Sequence, residues 1–173
     1  MKPRALQATD ADAIREFLDR LPELDRNFFK EDLSAEGVSA WFGDGPARRV
    51  VVADDGGRVL AYAAVFPGLG WSSHVGELRL IVDSGTRRQG LGRILARWGL
   101  VESVQMGLQK LVVELVADQE AAVAMFRDLG FEGEALLLNQ VRDRSGELRD
   151  LIVLAHQVDG NAASLAVTGL GEV

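Results

Sequence analysis

The stretch Arg87-Arg88-Gln89-Gly90-Leu91-Gly92 decides how this chain is read, because it joins a β-prone run, Val75 to Val82, to a helical segment, Leu91 to Leu108. A helix that begins there presents its first unpaired backbone N–H groups and the positive end of its dipole. Glycine at positions 90 and 92 lets an anion approach the main chain with no Cβ in the way, and Arg87, Arg88 and Arg93 add positive charge. The turn therefore suits a small anionic ligand such as a pyrophosphate. Two glycines alone would say little; their place between strand and helix carries the inference. Spacing excludes two other phosphate motifs. No Lys-Ser or Lys-Thr follows the glycines, so the P-loop for nucleoside triphosphates is absent. A dinucleotide fingerprint needs a glycine or alanine three residues beyond Gly92, directly after the first strand; Leu95 stands there, and half the fold precedes it.

Outward from the turn the hydrophobic period alternates between that of strands and that of helices. Upstream, Arg4 to Thr9 reads as a short strand, and Thr9 or Asp10 can cap a helix with Ile14, Phe17, Leu18 and Leu21 at helical spacing, ended by Pro22. Ser34 can cap a second helix carrying Val38, Trp41 and Phe42. Arg48 to Ala53 and Arg58 to Phe66 flank Asp54-Asp55-Gly56-Gly57 as a hairpin, and Val75 to Val82 alternates as a strand. Downstream, Ile94, Leu95, Trp98, Val101 and Val104 share one face of a long helix. Leu111 to Ala117 is a near-continuous apolar strand interrupted by Glu114, Ala121 to Leu129 is a short helix closed by Gly130, and a last hairpin pairs Glu134 to Val141 with Glu147 to His156. The order is βααβββαβαββ, an α/β arrangement with helices on both faces of a mixed sheet.

Composition sets the outer bounds. At 173 residues the chain fits one domain, expected over 1–157, with a Gly- and Ala-rich, loosely ordered tail over 158–173. No cysteine is present, which excludes disulfides, a thiolate zinc site and a cysteine nucleophile, and two separated histidines, His74 and His156, suggest no metal. The net charge of −7 argues against nucleic acid as a partner. No apolar run approaches the roughly 18 residues of a membrane span, and Met1 to Asp10 has no signal-peptide core, so the expected location is cytoplasmic, away from membranes. The last hairpin and the tail offer edges that could pair in a homodimer.

The turn and its flanks resemble the GCN5-related N-acetyltransferases (GNAT). Arg87, Gly90 and Gly92 match that family's pyrophosphate motif, Gln/Arg-x-x-Gly-x-Gly/Ala, and the likeness in element order runs over roughly residues 3 to 157, through the ending Ala124-Met125-Phe126-Arg127-Asp128-Leu129-Gly130-Phe131. The resemblance implies a mixed, mostly antiparallel sheet of six to seven strands whose two central parallel strands splay apart. It also implies acetyl-CoA as co-substrate and no metal. Acetyl-CoA's pantetheine arm would pair with the backbone of the strand ending Leu80-Ile81-Val82. The N–H groups from Arg88 through Gln89, Gly90, Leu91 and Gly92 to Arg93 would hold the pyrophosphate. An N–H near Ile81 or Val82 would polarise the thioester carbonyl while a primary amine, of a small molecule or a peptide, attacks directly.

An alkyl amine is protonated near neutral pH, so a general base is expected. Glu114, five residues before Gln119, matches the place where ribosomal-protein N-terminal acetyltransferases of the family carry theirs, and Glu77 matches the place used by many other members. Both stay open at this point. The chain departs from the family twice. Gln119 stands where asparagine is usual, which retains an amide for the pantetheine. Phe126 stands where a tyrosine is thought to reprotonate the thiolate; it reads as packing under the cofactor, and the proton would come from water or from Tyr62, the only tyrosine. Those two departures motivate a competing reading, a CoA-binding sensor with little turnover. His74 could line the acceptor side or be a plain loop residue. Trp41, Phe28, Phe29 and Trp71 belong to the core or the acceptor cleft, with core packing the simpler reading, and His156 reads as structural.

Overall fold

Alternating apolar residues and two acidic turns build the front of the sheet. In the computed structural model, which describes residues 1–27, 29–143 and 145–158, β2 (Arg48–Ala53), β3 (Val59–Pro67) and β4 (Val75–Val82) form an antiparallel meander. The β2–β3 turn is closed by the Asp54 carboxylate, which accepts from the backbone N–H groups of Gly56 (2.9 Å) and Arg58 (3.0 Å). The first strand is shorter than expected. β1 covers only Arg4–Ala5, because the Asp10 carboxylate accepts from the Gln7 backbone N–H (2.9 Å) and from Arg4 (2.7 Å), which turns the chain into a 3-10 segment over Ala8–Asp10. The same bonds occupy Asp10, so its side chain does not cap the helix that follows.

α1 (Ala11–Arg20) buries Ile14, Phe17 and Leu18 as the periodicity predicts. Pro22 ends it and also starts a further short helix, α2 (Glu23–Asn27), with its carbonyl accepting from the Arg26 N–H (3.1 Å). That helix escaped the periodicity because one turn is too short to display it. α3 (Ala35–Ala40) is capped by Ser34, whose Oγ accepts from the Gly37 N–H (3.1 Å).

α4 (Leu91–Gln105) buries Leu91, Leu95, Ala96, Gly99, Leu100 and Ser103. Of the expected apolar face only Leu95 is fully inside; Ile94, Trp98, Val101 and Val104 lie at its margin. The helix is turned so that its small residues face β4, where a Cβ on Gly99 would lie 2.8 Å from Leu78 Cδ1 and would require that side chain to shift. β5 (Lys110–Val116), α5 (Glu120–Asp128), β6 (Glu132–Arg142) and β7 (Leu148–Gln157) complete the chain, and Gly130 (φ 86°) closes α5.

The seven strands run β1-β2-β3-β4-β5-β7-β6, and β4 with β5 is the parallel pair. Two apolar clusters cover the two faces. One joins α4 and α5 to Leu78, Val113, Phe126 and Phe131. The other joins α1 and α3 to Val51, Tyr62 and Ile81. β6 forms the outer edge, with Leu136 57% and Leu138 69% exposed. No helix among the described residues is long and apolar enough to cross a membrane. The tail expected over 158–173 lies outside the described residues apart from Val158, which is buried and donates to the Gln109 carbonyl (2.8 Å).

Candidate active site

The sheet opens at its parallel pair. β4 and β5 are in register only at Val75–Lys110, Gly76–Leu111 and Glu77–Val112. Beyond that point β4 stays paired with β3 as far as Val82, while β5 stays paired with β7 as far as Val116. Each strand is held by its outer partner, so the inner edges diverge and leave backbone donors and acceptors facing a cleft of about 1000 Å³. The splay expected from the family resemblance is present.

At one end of the cleft lies the glycine turn. Gly90 is the N-cap of α4 in the left-handed conformation (φ 83°), a geometry that favours glycine, and no side chain caps the helix. The first N–H groups of α4 thus have no capping side chain, unlike those of α3, which Ser34 serves. Arg87, Arg88, Gly90, Leu91, Gly92 and Arg93 line the cleft, as do Leu80, Ile81 and Val82 along β4; Gln89 is exposed and is not among the lining residues. Arg87 pairs with Asp25 of α2, Arg93 pairs with Asp128 (3.0 Å), and Arg88, itself at φ 64°, has no ion pair among the described residues. Asp83 fixes the approach to the turn. Its buried carboxylate accepts from the Gly85 N–H (2.9 Å), Arg20 (3.3 Å) and Arg58 (3.3 Å). Burial alone would raise its pKa; those hydrogen bonds outweigh it and hold the group below the usual carboxylate range.

At the other end the strand period places Glu77 and Arg79 on the face shared with Ile81, and Glu114 faces the same side from β5, opposite the inward Val113. The two glutamates are joined by one residue that sequence reasoning missed. Lys30 Nζ donates to Glu77 Oε1 (2.8 Å) and to Glu114 Oε2. Arg79 donates twice more to Glu77 (2.9 and 3.1 Å) and lies over the Phe66 ring, 4.2 Å from its centroid. Burial pushes the Glu77 carboxyl up, but Arg79 and Lys30 together hold it below its ordinary value. Arg79 was legible in principle, since residues two apart on a strand share a face; Lys30 carried no local signal, standing in a loop far along the chain from both partners.

Gln119 and Phe126 both line the cleft, at the start and within α5. Phe126 is 1% exposed and meets Phe131 edge to face at 5.0 Å, so it is packed with no donor to offer. Tyr62 is not near it. The tyrosine is fully buried in the α1–α3 cluster, where its hydroxyl donates to Glu31 (3.0 Å) and accepts from Arg49 (3.1 Å), and burial first, then Glu31, raises its pKa far above normal. That removes Tyr62 as a proton source at the sulfur. Phe29 and Trp41 stack near Tyr62, Trp41 at 4.8 Å, as core residues; Phe29 also lines the cleft. Trp71 departs from the expectation: it is 96% exposed, on a 3-10 turn (Gly70–Ser72) that buries none of its residues. Phe28 lies outside the described residues. His74 is an exposed loop residue whose carbonyl accepts from the Gln109 N–H (2.8 Å), and His156 packs against Phe131 at 5.3 Å.

Comparison with known proteins agrees with this geometry. The chain is 32% identical over 108 residues to a mycothiol acetyltransferase of Arthrobacter sp. (strain FB24), covering 61% of this chain and 33% of that one. It is 35% identical over 104 residues to a mycothiol acetyltransferase of Kocuria rhizophila, covering 58% and 34%. It thus spans about a third of the length of the curated relatives it matches. Among solved structures, the fold is shared with the ribosomal-protein-S18-alanine N-acetyltransferase of Escherichia coli (24% identity, TM-score 0.72, 91% of this chain and 94% of that one). It is also shared with a Salmonella typhimurium protein solved with its cofactor acetyl-CoA (20% identity, TM-score 0.76, 93% and 95%). The profile described as Acetyltransferase (GNAT) family matches residues 12–131, which takes in the splayed strands, the glycine turn and Phe126. The chain belongs to the acetyltransferase (GNAT) family.

Proposed function

We propose that this protein is an acetyl-CoA-dependent N-acetyltransferase that moves an acetyl group to a primary amine by direct attack in a ternary complex. The observation that carries the reading is a single cleft with two differently built ends. The uncapped helix N-terminus with Arg88 beside it suits a pyrophosphate, and a cluster of carboxylates suits an ammonium group. The unpaired inner edge of β4 between them is of a kind that can hold an extended amide-bearing arm. The curated relatives carry mycothiol in their names, and a small-molecule acceptor is the arm of the proposal that this likeness supports.

The two glutamates divide the work in this reading. Glu77 is tied to Arg79 and Lys30 and is held in its charged form, which suits it to bind the charge of the incoming amine and makes it a poor proton acceptor. Glu114 has Lys30 as its ion-pair partner among the described residues, so displacement of that one ammonium frees it to take the proton of the acceptor, directly or through water. The neutral nitrogen then attacks the thioester carbonyl, whose oxygen is stabilised by a main-chain N–H near Ile81 or Val82, and the thiolate departs. Phe126 offers it no proton. A thiol of pKa near 8.5 is a fair leaving group without help, so turnover survives.

A thiol-release assay over a broad panel of amines tests this reading. Release above hydrolysis with at least one amine is expected, together with a rise in Tm on adding acetyl-CoA that ATP does not reproduce. Phe126 in place of a hydroxyl favours one competing reading, a CoA-binding sensor; tight acetyl-CoA binding with no release on any amine would establish it instead.

A further inference from the structure

Lys30 occupies the position that the proposed reaction reserves for its substrate. Its ammonium touches both Glu77 and Glu114 at the point where β4 and β5 part, and it lines the same cleft as Ile81, Val82 and the glycine turn. The sequence contains three lysines, Lys2, Lys30 and Lys110. Lys110 pairs with Glu134 (2.7 Å), toward the β6 side, and Lys2 is exposed near the start of the chain. Lys30 alone among them stands at the carboxylates. Its neighbour Phe29 is stacked on Trp41 at 5.9 Å, which holds the backbone beside the cleft, while the Lys30 side chain keeps 39% of its surface exposed and retains freedom to move.

We propose that Lys30 is a built-in acceptor, acetylated by its own active site. The inference rests on the acetyl-transfer reading given above. The step balances as any transfer in this cleft would. Glu114 takes a proton from the Lys30 ammonium, the neutral Nζ attacks the acetyl carbonyl carbon, the N–C bond forms, the C–S bond breaks, and CoA leaves as the thiolate. The products are Nε-acetyl-Lys30, free CoA thiol and one released proton. Tethering supplies what a free amine must obtain by binding, because a group already held beside its base reacts at a high effective concentration. The modification also changes the electrostatics. Lys30, Arg79, Glu77 and Glu114 together carry no net charge, whereas loss of the Lys30 charge leaves the cluster with one negative charge in excess. The modified cleft therefore attracts a cationic acceptor more strongly than the unmodified one.

The test is incubation of the full chain with acetyl-CoA, followed by peptide mass mapping of the three lysines over time. The expected result is one acetyl group on Lys30, acquired roughly 10²-fold faster than on Lys2 or Lys110, at a rate independent of protein concentration. Glu114→Gln should suppress that labelling to the rate of the other lysines, and Lys30→Arg should abolish it while the fold persists. Equal labelling of all three lysines would overturn the proposal. So would an unlabelled Lys30 in a protein that does release thiol with amines from the panel, and that outcome would leave the transferase reading standing. No acetyl-CoA-induced rise in Tm and no thiol release with any amine would overturn both.

Discussion

The two ends of the cleft are made from different materials. The glycine turn is built from main chain: consecutive residues, a left-handed Gly90 and the free N–H groups of an uncapped helix. The carboxylate end is built from side chains on three separate elements, with Lys30 reaching Glu77 and Glu114 across most of the fold. A main-chain site is robust to most substitutions and fails at glycine. A side-chain site fails wherever one charge is removed. Each end can therefore be broken independently, and the sizes of the effects should differ in kind as well as in magnitude.

The largest effect is expected at the carboxylate end. Glu114→Gln should lower kcat/KM about 10²- to 10⁴-fold and flatten its alkaline-side rise, as loss of a general base does. An unchanged pH profile would transfer the role elsewhere. Next, Gly90→Val should raise the KM for acetyl-CoA about tenfold or more. A β-branched residue held in the left-handed region costs about 1–2 kcal/mol, and relaxing that strain re-aims the N–H groups of the turn. If Gly90→Val bound acetyl-CoA normally, the main-chain account of this end would be wrong.

Smaller and more diagnostic is Asp83→Asn. Its carboxylate is held charged below its ordinary range, so the stability it contributes is present above the unfolded-state value and is lost as pH falls through the folded one. Tm of the wild type should therefore fall on acidification below about pH 4. The variant should be less stable by about 1–2 kcal/mol at neutral pH, and the acid limb of its Tm should be flatter. Parallel acid limbs would show that Asp83 is not the group responsible. The smallest effect is expected from Phe126→Tyr. The ring is packed against Phe131 in a cleft wall, and a good leaving group needs little protonation, so kcat should change by less than about threefold. A gain of tenfold would mean that thiolate departure limits turnover.

The same division explains which features could be read from the chain in advance. The β2–β3 hairpin, β4 and the start of α4 were legible because alternation, Asp-Gly turns and a Gly-rich junction are local signals. α2 was not, because one helical turn shows no period. The rotation of α4 was not, because the residues it buries include Ala96, Gly99 and Ser103, which apolar periodicity ranks below Trp98 and Ile94. Trp71 looked like core by composition and stands in solvent, since burial depends on where a loop projects and not on the residue's hydrophobicity.

By itself the sequence determined the order of the seven strands and of every α-helix but α2, the glycine turn and the two glutamates as competitors, because strand and helix periods, chain turns and a cofactor motif are written in neighbouring residues. Only the tertiary structure decided that Glu77 is bound by Arg79, that Lys30 bridges the pair, and that Tyr62 belongs to the opposite face from Phe126. The physical reason is range. Backbone conformation is chosen over a few residues, whereas the charge state of a carboxylate is chosen by whatever the fold brings within a few ångströms of it.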